Sequence, residues 1–236
     1  MSAVPTQELA WMDLVSTDLA LSAGFYDQVF SWRLSTPGDH HAGNYQMLSV
    51  DDAYLAGIEE ITSAKGPARW TVFIITSAMA DLISRVTRNG GAVTFEPEAI
   101  AELGIVAMIT DPLGATLGVW QPGTFDPRKV PDVDGRFLSA HRKTSDIEVV
   151  GDFLRDVLGW TENWHDDQAV HFATGGGSAV LSSGPPGEWV PVLGVSSLDR
   201  TTEAIRRAGG THGPDSAKGI VEACDPMGAT FLLHQN

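Results

Sequence analysis

The chain has 236 residues, enough for one or two domains and a sizeable buried core. Apolar residues at 43% and charged residues at 19% exclude a disordered chain. Acidic residues number 30 against 15 basic, and the resulting net charge of −15 argues against nucleic-acid binding and docking on an anionic membrane.

No apolar run approaches the roughly 20 residues that span a bilayer. The richest stretch, 70–80, is interrupted by Thr71, Thr76 and Ser77. The start, MSAVPTQELAW, has neither the basic nor the apolar region of a secretory signal. A cytoplasmic protein is expected. Cys224 is the sole cysteine, so no internal disulfide can form. Flanked by Ala223 and Asp225, it reads as a buried thiol rather than a nucleophile.

In chain order, Trp11 to Ser16 reads as a short apolar strand. Asp18 suits a helix N-cap, and Leu19, Phe25, Tyr26, Val29 and Phe30 follow at helical spacing. Pro37-Gly38-Asp39 is a turn signal, and His40-His41 continue as a solvated loop. Tyr45 to Val50 and Tyr54 to Glu59 are strand-like and joined at Asp51-Asp52. Trp70 to Thr76 is a further strand, and Ala78 to Asn89 a helix that Gly90 ends. Ala92 to Phe95, Ile105 to Thr110 and Thr116 to Trp120 are strands, the last two joined by the turn Asp111-Pro112-Leu113-Gly114. Thus a strand, a helix and further strands occur twice in succession.

The second half repeats the first. Val29-Phe30-Ser31-Trp32 recurs as Val157-Leu158-Gly159-Trp160, and Asp18 as Asp146, both at offset 128. Asn89-Gly90-Gly91 recurs as Ala208-Gly209-Gly210, and Trp70 as Trp189, at offset 119. Asp111-Pro112-Leu113-Gly114-Ala115-Thr116 recurs as Asp225-Pro226-Met227-Gly228-Ala229-Thr230, at offset 114. Conserved order with a drifting offset is what changes in loop length produce. The expected organisation is one domain over residues 1–122, a proline- and glycine-bearing linker over 123–135, and a second domain over 136–236.

The Asp18 … Phe25-Tyr26 run, Phe30-Ser31-Trp32 and the Asp-Pro-x-Gly turn before each half's last strand resemble the vicinal oxygen chelate superfamily. That superfamily includes glyoxalases, bleomycin-resistance proteins and extradiol dioxygenases. The resemblance spans nearly the whole chain and is closest to two-domain actinobacterial glyoxalase-like members. It implies an α+β fold of two tandem domains, each of two βαβββ modules forming a curved, mostly antiparallel sheet around a cup. It also implies a divalent metal held by His or Glu on the first and last strands of the modules. Carried over singly, those positions fall at Trp11, Ala56 or Gly57, Trp70, Gly118, Ser139, near Ser182, Trp189 and Leu232. None is a usual metal ligand, so no metal and no other cofactor is expected.

Strand alternation then sets the expected contents of the cups. Trp11, Trp70, Trp120 and Trp189 are expected as walls, with Tyr45 and Thr116 beside them as substrate-binding residues. Asp13, His141, Lys143 and His234 are the expected polar groups. Asp13, a carboxylate in an apolar strand, is the first candidate base, with His141 or His234 as acid or carbonyl partner. Glu59 is a weaker acid–base candidate. His141, His171 and His234 are the only ligands at hand for a displaced metal site. Trp32 and Trp160, just after helices, are expected in the core. Gly175-Gly176-Gly177 links two strand-like runs without a following helix, so it is no phosphate cradle.

The expected function is metal-independent acid–base catalysis, driving dehydration, cyclisation or isomerisation of a hydrophobic aromatic or polyketide-like small molecule. The rivals are a binding protein that sequesters a drug or metabolite, and a metal-dependent glyoxalase or dioxygenase. A homodimer is compatible with the sequence.

Overall fold

A computed structural model describes residues 4–35, 45–51, 53–62, 66–128, 131–166, 168–215 and 219–235. The expected turn at Pro37-Gly38-Asp39, the histidines His40 and His41, and Asp52 of the hairpin lie outside them. The first half runs β1 (Glu8–Ser16), α1 (Leu19–Phe30), β2 (Arg33–Ser35), β3 (Tyr45–Val50), β4 (Ala53–Glu60), β5 (Arg69–Ile75), α2 (Met79–Arg88), β6 (Ala92–Ile100), β7 (Gly104–Thr110) and β8 (Thr116–Pro122). The second runs β9 (Phe137–Thr144), α3 (Ile147–Leu158), β10 (Thr161–His165), β11 (Ala169–Ala173), β12 (Ser178–Ser183), β13 (Val190–Val195), α4 (Leu198–Arg207), β14 (Thr211–His212), β15 (Ile220–Cys224) and β16 (Thr230–Gln235).

The strands form two eight-stranded mixed sheets, in the orders β2-β3-β4-β1-β5-β8-β7-β6 and β10-β11-β12-β9-β13-β16-β15-β14. The two orders are equivalent position by position, which is the expected α+β architecture of two tandem repeats. β1 runs parallel to β4, β5 to β8, β9 to β12 and β13 to β16. The consecutive strands β2-β3-β4, β6-β7-β8, β10-β11-β12 and β14-β15-β16 pair as antiparallel hairpins. β6 runs five residues beyond the expected Phe95, passing Pro97. It lies at the end of its sheet, where a proline removes no ladder bond, and two register shifts accommodate it.

Repeated residues do the same local work in both halves. Asp18 caps α1 by accepting from the Leu21 amide at 2.9 Å, and Asp146 caps α3 by accepting from Val149 at 3.0 Å. α1 ends on Ser31 and α3 on Gly159, both left-handed, with φ of 59° and 66°. In the Asp-Pro-x-Gly turns, Asp111 accepts from the amides of Leu113 and Ala115, and Asp225 from Met227 and Ala229. Gly114 and Gly228 close those turns with φ of 88° and 90°.

The residues gather into two compact units. One comprises residues 1–11, 71–126 and 139–189, the other 12–70, 127–138 and 190–236. In the first, the Phe153 ring of α3 lies 2.8 Å from where a Cβ on Gly91 would stand. In the second, the Phe25 ring of α1 lies 2.7 Å from the Cβ position of Gly210. The repeated Gly-Gly pair therefore leaves room for a repeated phenylalanine.

The second unit is built around Tyr26, which is fully buried among Phe25, Phe30, Trp32, Trp70 and Phe231. Its hydroxyl accepts from the Trp70 indole at 3.0 Å and donates to Asp225 at 3.3 Å. Burial, then the Asp225 charge, holds the Tyr26 phenol well above its usual range, and burial raises the Asp225 carboxyl as well. In the first unit a fully buried ion pair joins Arg142 of β9 to Asp111. Burial draws the Arg142 guanidinium down to about 10, with Glu188 partly offsetting it. In the same unit Trp189 packs edge-on against Trp160, whose indole donates to the Gln7 carbonyl at 2.8 Å. Trp32 and Trp160 are thus core residues, as their place after a helix indicates.

Tyr26→Phe is expected to cost about 1–3 kcal/mol in denaturant titration, because Asp225 and Trp70 lose a buried partner. The unfolded chain gives up the Tyr26 proton near pH 10 while the folded chain retains it, so stability falls as pH rises past about 10. That alkaline fall shrinks in Tyr26→Phe. Arg142→Met is expected to cost about 3–5 kcal/mol by leaving the Asp111 charge buried alone.

Candidate functional site

Residues directly paired across strands share a face of the sheet. Asp13 of β1 pairs with Gly57 of β4, which pairs with Met47 of β3. The next row on that face holds Val15, Glu59 and Tyr45. The opposite face carries Met12, Leu14, Ala56 and Ile58, all fully buried in the core. Apolar alternation thus aims Asp13 and Tyr45, both half-buried, away from that core.

Tyr45 Oη donates to Asp13 Oδ1 at 2.8 Å. The bond crosses above Gly57. A Cβ there would strike the Tyr45 hydroxyl and Asp13 Oδ1. Glycine at position 57 is therefore a condition of the Asp13–Tyr45 contact. The sequence singled out both partners without indicating that they meet.

Of the four expected tryptophan walls, Trp11, Trp70 and Trp189 are buried and Trp120 is half-buried. Phe73, not Trp70, pairs with Gly118 of β8, and Val192, not Trp189, pairs with Leu232 of β16. Trp70 lies three residues before Phe73 in β5, an odd number, so it points to the other face, and Trp189 lies just outside β13. Both are buried core residues, 4% and 2% exposed. Trp11 and Trp120 are brought together through Phe125, with ring centroids 5.4 and 6.3 Å away. The Trp120 indole also donates to the Phe125 carbonyl at 3.2 Å. Phe125 falls in the segment read as linker, and its polar neighbours gave no sign of this contact.

On the second sheet, His141 of β9 shares a 2.8 Å hydrogen bond between its Nε2 and Ser182 Oγ of β12. His234 is half-buried on β16, paired with Gly194 and Ile220. Thr116 opens β8, where its amide donates to Glu188 at 2.7 Å. Cys224, expected buried, is half-buried, with Sγ 3.3 Å from Thr230 Oγ1. The contacts thus join Asp13 to Tyr45 on one sheet and His141 to Ser182 on the other.

The strand positions do not supply a metal ligand set. Gly57 and Gly118 hold two last-strand positions, and their side-chain space is taken by Tyr45 with Asp13 and by the Phe73 ring. The registers replace Trp70 and Trp189 with Phe73 and Val192, which are no better ligands. Among the described residues no three His, Cys, Asp or Glu side chains gather as an ion would need.

No family model matches the chain. It is 29% identical over 257 residues to the anthracycline biosynthesis protein DauV of Streptomyces sp. (strain C5), covering 95% of this chain and 91% of that one. It is 25% identical over 241 residues to the putative glyoxylase CFP32 of Mycobacterium bovis, covering 94% and 92%. Among solved structures, the Mn(II)-bound glyoxalase of Novosphingobium aromaticivorans superposes with a TM-score of 0.71 at 15% identity, over 100% of this chain and 83% of that one. Homoprotocatechuate 2,3-dioxygenase of Arthrobacter globiformis gives 0.72 at 16%, over 100% and 81%.

The contact above Gly57 is open to a double-mutant cycle. Tyr45→Phe alone is expected to cost about 0.5–1.5 kcal/mol for a lost hydrogen bond. In a Gly57→Ala background, where the new methyl has already parted the two side chains, the same change is expected to cost almost nothing. Equal costs in the two backgrounds would contradict the arrangement.

Proposed function

The chain has the fold of the vicinal oxygen chelate superfamily, in the tandem glyoxalase-like form of its actinobacterial relatives, and on that premise we propose a metal-independent proton-transfer enzyme of aromatic secondary metabolism. The observation that carries the reading is the Tyr45–Asp13 hydrogen bond held above Gly57. A carboxylate fixed by a phenol is an acid–base device, and among the described residues no three His, Cys, Asp or Glu side chains gather for an ion. The substrate class is drawn from the relatives named for anthracycline biosynthesis, hence a flat, hydrophobic, polyketide-like molecule. The half-buried rings of Trp120 and Phe125, backed by the buried Trp11, give the chain aromatic side chains suited to such a ligand.

In this reading the Asp13 carboxylate removes a proton from a carbon next to a carbonyl. The C–H bond breaks, its electron pair moves into the carbonyl as an enolate, and Asp13 becomes the acid. Return of that proton at a different atom gives isomerisation, and its transfer to a departing β-hydroxyl, which leaves as water, gives dehydration. Attack of the enolate carbon on a second carbonyl, with the same proton passing to the alkoxide that forms, gives cyclisation. Tyr45 positions the carboxylate throughout.

The test is solvent exchange. Polycyclic aromatic ketones are incubated with the protein in D₂O, and deuterium uptake next to the carbonyl is followed by mass spectrometry. Asp13→Asn is expected to slow uptake by about 10²–10⁴-fold with the fold intact by circular dichroism. Uptake unchanged in that variant would remove Asp13 from the mechanism. Binding without exchange in the unaltered protein would favour sequestration instead.

A further inference from the structure

A second candidate site lies within the other compact unit, on the sheet of the second half. Four residues form one continuous row across four strands. Trp164 of β10 pairs with His171 of β11, His171 with Val180 of β12, and Val180 with His141 of β9. The adjoining row places Ser182 beside Lys143. All these side chains share one face. The intervening residues Ala140, Arg142, Leu181 and Phe172 are buried on the opposite face, and α3 packs against β12. Alternation therefore leaves the row half-buried to exposed, with Trp164 50% exposed.

The chemistry changes along the row. At one end the Trp164 ring meets the His171 ring at 4.6 Å, with Val180 next to them, which makes an apolar, aromatic platform. At the other end His141 Nε2 is hydrogen-bonded to Ser182 Oγ, with the Lys143 ammonium on the neighbouring position. The row spans three strand spacings of about 4.8 Å, so roughly 14 Å. That is room for a fused aromatic ring system with one anionic substituent. Lys, imidazole N–H and hydroxyl are donors that suit a carboxylate.

We propose that this face binds a flat aromatic carboxylate, its rings on Trp164, His171 and Val180 and its carboxylate on His141, Ser182 and Lys143. The proposal does not rest on the Asp13 chemistry, and Asp13→Asn should leave it untouched.

The probe pair is 2-naphthoate and the neutral 2-naphthamide, which differ in charge and little in shape. Affinities for the full chain are measured by calorimetry, with quenching of Trp164 emission as a second readout against Trp164→Phe. The carboxylate is expected to bind at least about tenfold more tightly than the amide. Lys143→Gln and His141→Gln should each reduce naphthoate binding several-fold while hardly changing naphthamide binding. Lys143 is exposed, so its variant folds even if the His141 variant is perturbed. Equal affinity for the two probes, or naphthoate binding that survives both substitutions, would overturn the proposal.

Discussion

A buried aspartate anchors each compact unit. Asp111 and Asp225 occupy the same place in the repeat and tie down the same turn through two amides each. Each also reaches a residue far away in sequence. Asp225 takes the Tyr26 hydroxyl, and Asp111 takes the Arg142 guanidinium. A carboxylate left alone in such a place would cost several kcal/mol, so the partner is obligatory, although its chemistry is free to differ. One unit solves the problem with a phenol and an indole, the other with an ion pair. Arg142 is carried by β9, whose opposite face bears His141 and Lys143.

The same economy of space governs the candidate site. A last-strand position can hold a side chain, or it can let neighbours meet across it. With glycine at 57, Asp13 and Tyr45 meet. With glycine at 118, the Phe73 ring fills the gap. At both glycines, neighbouring side chains occupy the space that a side chain of their own would take. This is how one scaffold shared with a Mn(II)-bound glyoxalase and with dioxygenases can present a different surface while its sheets superpose.

Much of this was legible in the residues. Recurring Asp-Pro-x-Gly, Gly-Gly and helix-end motifs gave the repeat, because caps and turns need particular residues at particular offsets. Asp13 stood out as a charge in an apolar strand. The parity of Trp70 and Trp189 was not legible. Both sit at strand starts, where alternation has no reference until the partner's register is known, and an error of one residue reverses the face. Arg142, inside a His-Arg-Lys run, looks like surface, yet alternation buries it between two outward neighbours, and its partner lies 31 positions earlier in the chain. Phe125 and Ser182 are common residue types whose roles come from contacts distant in sequence, which no local pattern records.

The Asp13–Tyr45 contact fills the side-chain space of Gly57, and the proposed reading gives that contact, not a metal ion, the chemistry. The most direct test of that reading is the metal content per chain of protein purified without chelator or affinity metal. The account expects far less than one equivalent of Zn, Fe, Mn or Ni in folded, homogeneous protein. One equivalent of any of these, retained through dialysis, would contradict it and return His141, His171 and His234 to consideration as ligands.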